Sequence, residues 1–138
     1  MDLTITAVCV LVINPKGQVL QVARRGTTDQ WGIVGGKVEP PDKSPAHAAA
    51  REVREESGVI VKVHHLIPLF TSMADEEFVC QTFLALEYDD TDMVTETEEG
   101  PVQWGSYSNV IEGPFGEYNR RLLEKFSMVK AVLGRLAY

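Results

Sequence analysis

The stretch Gly35-Gly36-Lys37-Val38-Glu39-Pro40-Pro41-Asp42-Lys43-Ser44-Pro45-Ala46-His47-Ala48-Ala49-Ala50-Arg51-Glu52-Val53-Arg54-Glu55-Glu56-Ser57-Gly58-Val59 carries most of what this 138-residue chain reveals about itself. Ser44-Pro45 reads as a helix start, serine as N-cap and proline at the first helical position, and Gly58 supplies a left-handed stop. On the helix between them Glu52, Glu55 and Glu56 stand at i, i+3 and i+4. At about 100° per residue they share an arc of roughly 100°. Ala46, Ala49, Ala50 and Val53 fall on the adjacent arc and are expected to pack against a sheet. Carboxylates this close repel and raise one another's pKa, and hard divalent cations that prefer oxygen donors relieve the crowding. Read without context, a Glu-rich helix is a solvated face paired with its own arginines, here Arg51 and Arg54. The preceding residues 31–38 hold too much glycine for an ordinary strand and point to backbone that must approach something closely.

Outward from this core the chain alternates strand-like and helical segments. Residues 3–13 and 18–23 are rich in Val, Ile and Leu around the turn signal Asn14-Pro15-Lys16-Gly17, which predicts a hairpin. Residues 59–71, 78–88 and 102–104 read as further strands. Tyr118, Leu122, Phe126, Val129, Leu133 and Leu136 recur at helical spacing and predict the core face of a C-terminal helix. The loop Gly113-Pro114-Phe115-Gly116 before it reads as a helix entry. No repeat or linker interrupts the pattern, so residues 1–138 are expected to form a single domain.

Composition narrows the class of protein. Hydrophobic residues at 44% and charged residues at 24% are globular usage, which excludes disordered and low-complexity readings. Lys+Arg 13 against Asp+Glu 20 gives a net charge of −7, a field opposed to general nucleic-acid binding. Seven of the twenty acids, Glu87, Asp89, Asp90, Asp92, Glu96, Glu98 and Glu99, crowd one loop region, so an anionic substrate would need cations to mediate. Cys9 and Cys80 lie far apart in apolar runs, which argues against a disulfide framework or a zinc site and for small core residues. His47, His64 and His65 have no partners at ligand spacing and read as structural or exposed. No apolar run of membrane length or secretion signal is visible, so a cytoplasmic protein without membrane contact is expected.

Gly35-Gly36 followed by Arg51-Glu52-Val53-Arg54-Glu55-Glu56-Ser57-Gly58-Val59 strongly resembles the Nudix box of the MutT-like hydrolases, Gly-x5-Glu-x7-Arg-Glu-U-x-Glu-Glu-x-Gly-U with U apolar. Counting from Gly36, Asp42 takes the place of the first glutamate, and eight residues rather than seven separate it from Arg51. The resemblance implies an α/β fold, the Nudix α/β/α sandwich with a mixed β-sheet between helices. It implies that Glu52, Glu55 and Glu56 bind metal with the carbonyl of Gly35, and that Arg51 holds the carboxylates by a fork of hydrogen bonds. The implied cofactor is Mg²⁺, with Mn²⁺ as the alternative. Glu98 best fits the family's loop glutamate, as base or further metal ligand, with Glu96 and Glu99 as competitors; Glu55 is the other candidate base.

Arg24 is the arginine that the resemblance favours as a phosphate clamp over Arg25, and Trp31 and Phe78 are candidates for stacking on a base. The implied activity is hydrolysis of the pyrophosphate linkage of a nucleoside diphosphate joined to another group. Residues 73–78 lack the tyrosine of dinucleoside-polyphosphate hydrolases, and Pro68 lies too near the box for the proline of ADP-ribose hydrolases. Nucleoside triphosphates therefore lead, with ADP-ribose, dinucleoside polyphosphates and nucleotide sugars as alternatives. A reading of another class is a non-catalytic Nudix-fold sensor that binds a nucleotide. A monomer or homodimer is expected, with a nucleotide-type small molecule as partner.

Overall fold

The computed structural model describes residues 4–26, 29–73 and 78–125. Strands β1 (Ala7–Val12), β2 (Val19–Ala23) and β3 (Trp31–Lys37) lead into helix α1 (Pro45–Ser57). Then come β4 (Ile67–Met73), β5 (Val79–Ala85), β6 (Glu96–Thr97), β7 (Gly100–Gly105) and two helices, α2 (Tyr107–Ile111) and α3 (Gly116–Lys125). The chain divides into two compact units, residues 1–11 with 34–93 and residues 12–33 with 94–138, so β3 gives its first three residues to one and its last four to the other.

In the first unit the strand order is β4-β5-β1-β3. β4 pairs antiparallel with β5, and β1 pairs antiparallel with the end of β3, Cys9 opposite Gly35 and Val10 opposite Val34. β1 and β5 run parallel. The Thr6 N–H donates to the Val79 carbonyl at 2.9 Å and Cys9 Sγ lies 3.2 Å from Thr82 Oγ1, so both chains advance by three residues together. The sheet is therefore mixed. Its core is aliphatic: Val10, Leu11, Val34, Val79 and Leu84 are fully buried, with Ala49 and Val53 of α1.

In the second unit the order is β3-β2-β7-β6, with every pairing antiparallel. Gln21 of β2 is completely buried, and a buried amide is tolerable only when its hydrogen bonds are made. Its Oε1 accepts from Gln103 Nε2 and Asn109 Nδ2, both at 2.9 Å, and its Nε2 donates to the Ser106 carbonyl at 3.2 Å. One side chain thus ties β2, β7 and α2 together. Tyr107 Oη donates to the Asn119 carbonyl and fastens α2 to α3.

Several expectations are refined. The turn at Asn14 forms, with the Asn14 N–H donating to the Gln18 carbonyl at 2.9 Å, but strand pairing across it stops at Ile13 and Val19. β3 takes the place of a hairpin ladder, pairing with β1 through one end and β2 through the other. The glycine-rich segment is a true strand. Residues 59–71 are not one strand: a 3-10 turn at Val63–His65 precedes β4, and Ile60 makes an isolated bridge to Asp89. The five-residue α2 was not read from the sequence, being too short to show helical periodicity. Tyr118 and Leu122 lie on α3, with Leu122 fully buried, whereas Phe126, Val129, Leu133 and Leu136 lie outside the described residues.

Candidate active site

Helix α1 starts and stops as its sequence dictates. Ser44 Oγ accepts from the His47 N–H at 3.2 Å, and Gly58, at φ 79°, donates its N–H to the Arg54 carbonyl at 2.8 Å. Its buried residues are Ala48, Ala49, Val53 and Ser57, while Ala46 and Ala50 are only partly covered. That shifts the packing arc from the expected one, and the shift matters for the acids. Stepping about 100° per residue sets Glu52 and Glu56 between the directions of Ala48 and Ala49, facing inward, and leaves Glu55 on the outer flank. The side chain of Glu52 is 13% exposed and that of Glu55 is 55% exposed. The three carboxylates therefore do not share one environment.

Glycines of β3 make room for the inward pair. A Cβ on Gly36 would overlap the Glu52 carboxylate, and one on Gly35 would run into the Val8 carbonyl and Cys9. The Gly35 N–H donates to Glu56 Oε2 at 3.0 Å. Close approach thus accounts for Gly35, against β1, and for Gly36, against Glu52, whereas a Cβ on Gly32 would meet open space.

Arg51 organises the rest. Its Nε donates to Asp42 Oδ1 at 3.0 Å, and its Nη2 donates to Asp42 Oδ2 at 3.0 Å and to the Lys37 carbonyl at 2.9 Å. Its Nη1 donates to Glu52 Oε1 and Glu55 Oε2, each at 3.0 Å. All five guanidinium N–H groups are engaged, a pattern that lysine with three donors cannot reproduce. Glu39 adds a longer ion pair at 3.9 Å. The extra loop residue is absorbed by a turn. The Asp42 N–H donates to the Glu39 carbonyl at 2.9 Å, the Glu39 N–H returns to Asp42 Oδ2 at 2.8 Å, and Asp42 still reaches Arg51.

The electrostatics follow from these contacts. The Arg51 hydrogen bonds hold the Asp42 carboxyl below its ordinary range, and the same bonds push the Arg51 pKa further up. Glu52 is shifted the other way, because burial raises its pKa more than the Arg51 hydrogen bond lowers it. One arginine serves several acids, so the cluster keeps an excess of negative charge.

Oxygen donors of this kind suit a hard divalent cation. Glu52 and Glu55 each give one oxygen to Arg51 and retain the other, and the missing Cβ of Gly36 leaves the Glu52 carboxylate unobstructed. Among the described residues no three acidic, histidine or cysteine side chains converge on one point; Arg51 Nη1 lies 3.0 Å from both Glu52 Oε1 and Glu55 Oε2. The residues fit a metal in donor chemistry.

Gly35, Arg51, Glu52, Glu55 and Glu56 are thus brought together within the first unit. Phe78, also there, directly precedes β5 and is 49% exposed. Arg24, Trp31 and Glu98 belong to the second unit. Arg24 is exposed just beyond β2, Trp31 opens β3 opposite Ala23, and Glu98 is exposed in the two-residue turn between β6 and β7. Arg25, the less favoured of the two candidate phosphate clamps, clasps that turn: its N–H donates to the Glu99 carbonyl at 2.8 Å and its Nη2 to the Thr97 carbonyl at 3.2 Å, with Glu96 at 3.6 Å. The Lys37 carbonyl was also missed, since a backbone acceptor leaves no trace in residue type. His47 bonds to Ser44 and His65 to Glu87, in keeping with structural histidines.

A strand with paired glycines facing a helix whose arginine gathers its own glutamates defines a Nudix domain, and the NUDIX domain family matches residues 3–126. The chain belongs to the Nudix hydrolases. It is 31% identical over 122 residues to an uncharacterized Nudix hydrolase, YvcI, of Bacillus subtilis (strain 168), covering 84% of this chain and 74% of that one. It is 47% identical to diphosphoinositol polyphosphate phosphohydrolase 2 of Rattus norvegicus over 55 residues, 40% of this chain but 30% of the relative's length. The crystal structure of a MutT protein from Bacillus halodurans superposes with a TM-score of 0.66 at 26% identity, over 86% of this chain and 78% of that one.

Proposed function

We propose that residues 1–138 act as one Nudix domain that cleaves the pyrophosphate linkage of a nucleoside diphosphate joined to another group. The favoured substrates are nucleoside or deoxynucleoside triphosphates, hydrolysed to the monophosphate and pyrophosphate. The observation that carries this reading is the five-bonded Arg51, which holds Glu52 and Glu55 beside a Glu56 fixed by the Gly35 N–H. Such a positioned set of anionic oxygens has a high electrostatic cost unless a cation shares it.

Glu52, Glu55, Glu56 and the Gly35 carbonyl would hold Mg²⁺ or Mn²⁺, with Glu98 as a further ligand. When bound, the metal polarises the phosphate oxygens and lowers the pKa of the attacking water. Glu55, the most exposed of the three helix acids, is the first candidate to accept the water's proton, and Glu98 the second. Arg51 keeps the carboxylates oriented. Arg24 would clamp a phosphate, and Trp31 and Phe78 would stack on the base. Cys9 and Cys80, neither of them in a disulfide, suit a reducing, cytoplasmic setting. Among the described residues no helix is long and apolar enough to cross a membrane.

The 47% identity over 55 residues to the diphosphoinositol polyphosphate phosphohydrolase supports a second reading, a phosphorylated inositol carrying a diphosphate. The test is product identification by chromatography from nucleoside triphosphates, ADP-ribose, dinucleoside polyphosphates, nucleotide sugars and a diphosphoinositol polyphosphate. Monophosphate plus pyrophosphate from a triphosphate is the expected result. Preference for another compound reassigns the substrate, and binding without turnover of any compound identifies a sensor.

A further inference from the structure

The face shared by the parallel strands β1 and β5 carries Cys9, Cys80 and Thr82. Neither cysteine is in a disulfide; Cys80 is buried and Cys9 half-buried. Cys80 Sγ donates to Cys9 Sγ across 3.9 Å, and Cys9 Sγ also lies 3.2 Å from Thr82 Oγ1. The two sulfurs are unequal. The hydrogen bond to Cys9, together with burial, pushes the Cys80 thiol far up, so it keeps its proton. Cys9 is the more accessible of the two.

We infer that Cys9 and Cys80 form an oxidisable dithiol that hydrogen peroxide closes into an intramolecular disulfide between β1 and β5. The Cys9 sulfur attacks one oxygen of the peroxide, the O–O bond breaks, and the Cys9 proton leaves with the departing hydroxide as one water, so that Cys9 becomes a sulfenic acid. The Cys80 sulfur then attacks Cys9 Sγ, the S–O bond breaks, and the Cys80 proton leaves with the hydroxyl as a second water. Two thiols are oxidised by two electrons, and the peroxide is reduced to two waters.

Closure has a path to the acidic cluster. A disulfide needs its sulfurs about 2 Å apart, so Cys9 is drawn toward β5. On its other side Cys9 pairs with Gly35, whose backbone lies in close contact with it and whose N–H holds Glu56. Movement of Cys9 therefore disturbs a backbone donor to Glu56. Oxidation lowers hydrolytic activity reversibly, a consequence that rests on the function proposed above.

The test treats the full chain with hydrogen peroxide and reads intact mass, free thiols and hydrolysis in parallel. The expected result is a loss of about 2 Da with both thiols gone. Activity falls several-fold, and dithiothreitol restores mass, thiols and activity. Cys80→Ala is expected to keep basal activity and to trap Cys9 as a sulfenic acid that dimedone labels. Retention of both thiols, gain of oxygen atoms alone, or a disulfide only between chains overturns the dithiol, whatever the enzyme's substrate. A disulfide that forms and leaves activity unchanged overturns the coupling to the site.

Discussion

Arg51 concentrates at one residue the interactions on which the site depends. Its planar fork meets Asp42 along one edge and Glu52 and Glu55 along the other, so Arg51→Lys keeps the charge but not the geometry. That variant is expected to lose about 10- to 100-fold in kcat/KM, by analogy with residues that orient metal ligands, and a metal titration should show weaker binding with little change in circular dichroism. Asp42 has a second, pH-dependent signature. Its carboxyl is more acidic folded than unfolded, so its contribution to stability is complete above the unfolded pKa of about 3.9 and disappears as pH falls through the lower folded value. Denaturant melts of the chain and of Asp42→Asn should therefore differ by a constant amount from neutral pH down to about pH 5 and converge below about pH 4. At this scale the sequence disclosed residue types and spacing, and the Arg51–carboxylate contacts follow from them. It did not disclose that Glu52 is the inward acid and Glu55 the outward one. That depends on which arc of α1 is buried, and a run of four alanines around His47 and Arg51 leaves the arc undetermined.

At the scale of elements, α1 and β3 are a matched pair. The caps of α1 were legible because Ser44, Pro45 and Gly58 each have a single conformational use in such a place. Ser44→Ala removes the acceptor for the His47 N–H and should cost about 1 kcal/mol in a chemical melt. β3 was half legible. Its glycines announced close approach, as they should, but obscured the strand, since strand propensity reads side chains and the side chains here are missing for a packing reason. Gly36→Ala puts a Cβ into the Glu52 carboxylate. The expected outcome is a folded protein with activity reduced at least about 10-fold, checked by steady-state kinetics beside a thermal melt. The hairpin expectation failed at the same element, because local turn chemistry at Asn14 reports the turn and not which strand will occupy the open ladder edge.

For the whole molecule, the legible part is the box and the alternation of strands and helices around it. Less visible were features built from long-range contacts: the buried Gln21 amide bonded to Gln103 and Asn109, the Arg25 clasp on the turn that carries Glu98, and the approach of Cys80 to Cys9 across 71 positions of sequence. Each depends on register between distant strands, which no local pattern encodes. On the proposed function, the acids gathered by Arg51 and Gly35 would hold a metal that assists hydrolysis of a pyrophosphate linkage. The most direct measurement is pyrophosphate release from a panel of nucleoside triphosphates by the unaltered chain and by Glu55→Gln, each with Mg²⁺, with Mn²⁺ and with chelator. Metal-dependent release is expected, abolished by chelator and lowered about 10²- to 10⁴-fold by Glu55→Gln, with an unchanged thermal melt. Equal rates in the two proteins, or release that survives chelation, would contradict the proposed function.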